Sequence, residues 1–333
     1  MKGMRWRWLI VAAVGMIAVG CGFGSPVSGP VDQPPGGPAP SAPQGDQVGE
    51  TVQATMYYVN PQGYVVPIAD SIPKVTGIAT ETLQYMVQGG PGDAVAAKWG
   101  LKGSLPPGTK VLGMDIRNGL AKVDFSKEIL QYQTPQQERQ IVDSVVWALT
   151  EFPTIQQVQI LVNGRQLQTM PVAGTPIGQP LGRAMGINLN VAGNINPSNT
   201  EKLTLYYSGG AGDHTYLVPV TKILPVGSST DVVKDTMAQL ANPGIPGLSS
   251  PVTTQVKVLH TSLDGNLATV DFDRSFWNDQ KPDQSVAAVV LSLAQSVHVS
   301  QVKLTVKGEA PVVKGLDLAK PVSAPRFVNT SQL

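Results

Sequence analysis

The sequence predicts an α+β protein of two tandem homologous modules, each a small sheet covered by two helices in the order ββαββαβ, after a disordered N-terminal stretch. Three observations predict it. The first is repetition: Met114 to Gly164 and Leu259 to Gly308 each read as hairpin, helix and strand. The run Val123-Asp124-Phe125 returns about 147 residues later as Val270-Asp271-Phe272, a period that marks a copied domain rather than a solenoid unit. The second is strict alternation in short β-branched runs, such as Ala121, Val123 and Phe125 against Lys122 and Asp124. The third is a helical stripe in each copy: Ile141, Val142, Val145, Val146 and Leu149, then Val286, Val289, Val290, Leu293 and Val297.

The first module is assigned to 51–188. Thr51 to Val59 and Gln62 to Ile68 are strands joined by the turn chemistry of Asn60-Pro61-Gln62-Gly63. Val75 to Gly89 carries Ala79, Leu83, Met86 and Val87 at helical spacing, and Gly89-Gly90-Pro91 stops it. Asn118-Gly119 is a strong hairpin signal, because both residues of a type I′ turn take positive φ. Thr134-Pro135-Gln136-Gln137 reads as a capping box with Pro at the first helical position. Val158, Ile160 and Val162 then close the sheet before Asn163-Gly164.

The second module, 201–329, repeats this order. Leu203 to Tyr207 and Tyr216 to Val220 are its first strands, and Thr230-Asp231 opens a helix bearing Val233, Met237 and Leu240. Asp264-Gly265 stands in for Asn118-Gly119, Pro282 starts the second helix, and Val302, Leu304 and Val306 close the sheet. Each module trails an irregular segment containing an Arg and an Asn, Pro180 to Asn188 and Pro321 to Asn329. Residues 189–200 read as a linker, so the modules are expected to be loosely oriented, with proteolysis first near Gly193 or within 22–50; 330–333 is a tail.

Residues 1–21 have a basic start (Lys2, Arg5, Arg7) and a short apolar run from Leu9 to Val19, which is the pattern of a secretory signal. Ala18-Val19-Gly20-Cys21 resembles a bacterial lipobox, although Ala18 stands where Leu is usual; the resemblance implies lipid attachment at Cys21. The Pro- and Gly-rich stretch 22–50 contains no Lys or Arg and reads as a disordered tether. It would reach roughly 90 Å in a polyproline-like state and about 30 Å as a coil. The expected address is the extracytoplasmic face of the membrane, lipid-anchored.

Composition excludes several classes. A net charge of +1, from 24 basic and 23 acidic residues, gives no electrostatic footprint for nucleic acid. One cysteine permits no intrachain disulfide, and His214, His260 and His298 are too scattered for a metal site. No cofactor is expected. Gly89-Gly90-Pro91-Gly92 lacks the Lys-Ser/Thr ending of a phosphate loop.

With both copies laid out, the chain resembles the GerMN (Germane) family of bacterial sporulation and spore-germination lipoproteins. The residues that carry this are Asn118-Gly119 with Val123-Asp124-Phe125, then Thr150 to Ile155, then Val158 to Gly164. The second copy departs from it, with Ser296-Val297-His298-Val299 for Glu151-Phe152-Pro153-Thr154 and Lys307-Gly308 for Asn163-Gly164. The resemblance implies a non-enzymatic exported protein, a scaffold or interaction module for an envelope-spanning assembly whose partners are other envelope proteins.

Two other readings compete. Tyr57-Tyr58 and Tyr206-Tyr207 should each place one ring in the core and one outside, and Trp99 and Trp277 sit in loop-like contexts. Such aromatics motivate a carbohydrate-binding reading with peptidoglycan as partner. Asp115 with Asp124, and Asp271 with Asp273, could serve as paired carboxylates of a wall hydrolase. The alternation puts Asp124 and Asp271 opposite the apolar face, which favours a structural role, and no nucleophile–base pair accompanies the four.

Overall fold

The computed structural model describes residues 49–330 apart from 192, 194–197, 213, 227–230 and 277–280. Cys21, the lipobox, nearly all of the tether, Thr230 and Trp277 lie outside the described residues. In the first module β1 (Thr51–Val59) and β2 (Val65–Pro73) form an antiparallel hairpin, followed by α1 (Ile78–Gln84), α2 (Asp93–Lys98) and β3 (Lys102–Gly103). Then come β4 (Val111–Arg117), β5 (Leu120–Phe125), α3 (Pro135–Leu149) and β6 (Gln157–Val162). A short strand β7 (Asn190–Val191) leads to β8 (Thr200–Ala211), β9 (His214–Pro225) and α4 (Val232–Ala241). The second module continues with β10 (Val258–Asp264), β11 (Leu267–Phe272), α5 (Pro282–Val297), β12 (Gln301–Val306) and β13 (Val322–Ser323).

The fold is α+β and duplicated, with the strands of each module shared between two small sheets. In the first these are β2-β1-β3 and β4-β5-β6; in the second, β7-β9-β8 and β10-β11-β12-β13. The division follows from the chain path. The first two strands pair only with each other and short neighbours, whereas the VDF strand pairs parallel with the strand after the long helix. That helix is the crossover a parallel pair requires. The capping box forms, with Thr134 Oγ1 accepting from Gln137 N at 3.2 Å and Gln137 Oε1 from Thr134 N at 3.2 Å. Missed in the sequence was the break after Gln84: a turn at 89–92 starts the separate short helix α2, with Asp93 Oδ2 accepting from Gly89 N at 2.9 Å.

The two hairpins are not the same turn. Asn118 (φ 50°) and Gly119 (φ 79°) are both at positive φ, as type I′ geometry demands. In the second module Asp264 is still in the strand, paired with Leu267, so the turn is Gly265-Asn266. Only Gly265 of that pair has positive φ, at 53°. Glycine in the first central position is the type II′ arrangement, so the expected equivalence of Asp264-Gly265 with Asn118-Gly119 is off by one residue.

Loose orientation of the modules is also overturned. Residues from Gly49 onward form one compact unit, and buried side chains of both modules make one continuous apolar cluster. The expected linker is partly a strand: Asn190 and Val191 pair parallel with Lys222 and Ile223 of β9. Reciprocally, Thr330 bridges to Ala69 of β2. Each module's trailing segment is therefore stitched to the hairpin of the other, which no composition-based reading of 189–200 could show.

Candidate functional site

The junction between the modules is built by two asparagines. Asn188 Oδ1 accepts from Val65 N at 2.8 Å, while its Nδ2 donates to Val65 O at 2.8 Å and Pro219 O at 2.7 Å. Asn329 Oδ1 accepts from Leu217 N at 2.8 Å, and its Nδ2 donates to Leu217 O and Pro67 O, both at 2.8 Å. Val65 and Leu217 hold the same position in their hairpins, as do Pro67 and Pro219. The two clasps are thus exchanged by a pseudo-two-fold relation. Proline explains the need for them: it has no N–H, so a strand edge carrying it cannot be continued by direct pairing. A carboxamide, with donors and an acceptor on one planar group, bridges the gap. Both asparagines take positive φ, 48° and 55°, which their side chains tolerate better than most.

A polar network supports the first clasp. Asp143 on α3 accepts from Asn188 N at 3.0 Å and from Arg139 Nε at 2.6 Å. Burial pushes its carboxyl up to about 6 against the pull of Arg139 and the Asn188 amide. Arg139 also donates to Met185 O, and Trp147 Nε1 to Gly186 O at 3.1 Å, so the trailing segment is laid along α3. Arg183 pairs with Glu151 at 2.7 Å and stacks over Trp147, 4.5 Å from the ring centroid. Tyr57 donates to the same Glu151 oxygen at 2.6 Å. Burial first, and then Glu151, hold the Tyr57 hydroxyl well above its ordinary value, so it stays a donor.

Glu138, fully buried on α3, went unnoticed in the sequence. It accepts from Val172 N, Ala173 N and Thr175 N at 2.8–3.0 Å and from Tyr132 Oη at 2.8 Å. Burial opposes ionisation, but the bonds from Thr175, Ala173 and Tyr132 win and lower its pKa to about 2. The signal available in the sequence was slight: one carboxylate on a helix whose partners come from a distant loop.

The residues singled out for chemistry are each engaged locally. Asp124 accepts from Gly164 N at 2.8 and 3.0 Å; Asp271 accepts from Gly308 N at 2.8 Å and Thr305 Oγ1 at 2.7 Å. Each thereby pins the tight turn after β6 or β12, Asn163-Gly164 or Lys307-Gly308, where both residues have positive φ. Asp115 pairs with Arg117 at 3.0 Å, and Asp273 accepts from Lys257 N and from Ser275. Among the described residues no group of three His, Cys, Asp or Glu side chains is placed to hold a metal ion.

The tyrosine expectation is corrected. Tyr57, Tyr58, Tyr206 and Tyr207 are all buried, at 0–3 % exposure, because both faces of β1 and β8 are covered. Trp99 packs edge-on against Tyr216 of the second module, ring centroids 6.5 Å apart, and so belongs to the junction.

A fused pair of α+β modules, each completing the other's hairpin, defines a tandem-module protein. The chain belongs to the Germane family, described as sporulation and spore germination, which matches residues 55–168 and 204–311. It is 35 % identical over 296 residues to the spore germination protein GerM of Bacillus subtilis (strain 168), covering 86 % of this chain and 80 % of that protein. Its structure is similar to the tandem GerMN domains of the sporulation protein GerM from Bacillus subtilis. That match has a TM-score of 0.75 at 35 % identity and covers 84 % of this chain and 100 % of the other.

Proposed function

We propose that the chain is a non-enzymatic extracytoplasmic lipoprotein, anchored through Cys21, that acts in sporulation or spore germination by holding together an envelope-spanning assembly. The observation that carries this reading is the rigid, clasped pair of modules, found in a relative of a spore germination protein. A body locked across two junctions presents its surfaces at fixed separation, as a scaffold requires. Those surfaces repeat. β4 and β10 are edge strands of their sheets. Each has an exposed leucine at its bulge, Leu112 (54 %) and Leu259 (53 %), and a second exposed apolar residue, Ile116 or Leu263. Exposed strand edges with apolar side chains are where other chains add. Of the carboxylates that suggested hydrolysis, Asp124 and Asp271 pin turns, Asp115 pairs with Arg117, and Asp273 accepts from Lys257 N and Ser275, which supports a structural role for each. The test is affinity capture of the tagged full chain from sporulating cells, with Cys21→Ala alongside. Envelope proteins should be recovered and the C21A chain should leave the membrane fraction; capture without any envelope protein would overturn the scaffold.

A further inference from the structure

The four tyrosines are buried and Trp99 packs on Tyr216, so these rings offer no glycan platform, but a different surface does. A groove of about 370 Å³ runs between the β1–β2 turn, the Gly100–Lys102 segment and the first turns of α3. Its size falls in the range of roughly 300–1,000 Å³ of small-molecule sites. Its lining is unlike the apolar norm: Asn60, Gln62, Gln136, Gln137 and Gln140, with Lys102 as the one charge. A narrower recess sharing Lys102, Gln137 and Gln140 continues it towards Gln88 and Gln131.

The carboxamides are preset. Gln140 Nε2 donates to Gly63 O at 2.7 Å and Gln136 Nε2 to the same oxygen at 3.5 Å, which leaves both Oε1 atoms as acceptors. Gln137 Oε1 is used by the helix cap, with Gln133 N at 2.9 Å and Thr134 N at 3.2 Å, which leaves its Nε2 to donate. Among the described residues nothing bonds these remaining atoms or Lys102 Nζ. The turn that allows this needs Gly63: its φ is +88°, and a Cβ there would lie 2.1 Å from Gln136 Nε2.

A wall without carboxylates does not suit a cation, a single lysine does not suit a polyanion, and a mostly polar lining, with only Val59, Pro61 and Leu101 apolar, does not suit an acyl chain. What matches neutral donors and acceptors side by side is a ligand dense in hydroxyl and amide groups. An extended peptide is less well served, because the strand edge available, β3, is two residues long and peptide addition relies on a long edge with side-chain pockets. We propose that this groove binds an uncharged saccharide chain bearing acetamido groups. The second module lacks the counterpart, with Asp283 and Ala287 at the positions of Gln136 and Gln140, so one site per chain is expected. The proposal does not rest on the assembly role; capture of envelope proteins and glycan binding can succeed or fail separately.

The test is calorimetric titration of the full chain in detergent with N,N′,N″-triacetylchitotriose, with cellotriose and N-acetyl-trialanine amide as comparison probes. One saturable site for the acetylated trisaccharide is expected, with cellotriose at least about tenfold weaker. Gln136→Ala and Lys102→Ala, both on exposed side chains, should together weaken binding about tenfold, or about 1.4 kcal/mol, with the melting temperature unchanged. No saturable binding up to about 10 mM, affinity unaffected by the two substitutions, cellotriose binding equally well, or the peptide binding as tightly would each overturn it.

Discussion

The two modules share a chain path and differ in what holds the long helix. In the first, α3 buries Glu138 and Asp143 and carries Arg139 and Trp147, all bonded to segments that cross it. In the second, the same positions of α5 hold Ser285, Val290, Val286 and Ala294, and the contacts are mostly apolar. Ser285 Oγ donates to Pro251 O at 2.5 Å and to Lys281 O of its own helix at 3.3 Å, so its one bond outside the helix is to Pro251. The fold thus depends on what the copies share: the apolar stripe, the VDF strand and the pinned turn. The polar network is an addition of the first copy, and it fixes the segment that reaches across to the second.

The largest expected effect tests whether the junction is as symmetric in energy as in geometry. Asn188→Ala and Asn329→Ala each leave one N–H and two C=O groups of buried residues unbridged and put alanine at positive φ. Each should cost about 3 kcal/mol in urea unfolding. The double variant should unfold in two steps as the modules part. If one clasp proved costly and the other neutral, the pseudo-two-fold relation would be a matter of shape alone.

Next comes the helix difference itself. Glu138→Gln removes the charge that three backbone amides and Tyr132 point at, for a loss of about 2–3 kcal/mol; Ser285→Ala should cost about 1 kcal/mol. Equal losses at the two positions would show that the two helices are held alike.

Titration sharpens the same contrast, because the second module has no carboxylate at either position. Glu138 has a depressed folded pKa of about 2, so its contribution is complete above the ordinary carboxylate value and is lost as pH falls towards 2. Asp143 has a raised folded pKa of about 6. Its contribution is therefore complete below its unfolded value and is lost as pH rises through 6. Unfolding free energies measured from pH 3 to 8 should show both limbs. Asp143→Asn should flatten the upper one, and an unchanged profile would refute the assignment.

The smallest effect is expected where the modules agree. Asp124→Asn and Asp271→Asn should each cost about 1 kcal/mol through the turn that each pins. A marked inequality in differential scanning calorimetry would show that the shared turn is not used alike.

What could be read without coordinates was local. The capping box, the Asn118-Gly119 turn and the alternation of the VDF strands depend on neighbours a few residues away, so composition and spacing were enough. The off-by-one at Asp264-Gly265 shows the limit, because Gly265-Asn266 also satisfies turn chemistry and only strand register chooses between them. The Arg and Asn in each trailing segment were visible, but their role was not. Asn188 meets Val65 across 123 residues and Asn329 meets Pro67 across 262. The groove was illegible for the same reason, since Asn60, Lys102 and Gln136 are adjacent only after folding.

By itself the sequence determined the duplicated α+β modules, because periodic burial and turn chemistry are written in consecutive residues. Only the tertiary structure decided that the copies are clasped, that all four tyrosines are interior and that carboxamides gather in one groove. Those outcomes depend on which distant polar groups meet once apolar faces are buried, and hydrogen bonds between distant segments leave no periodic trace in the chain.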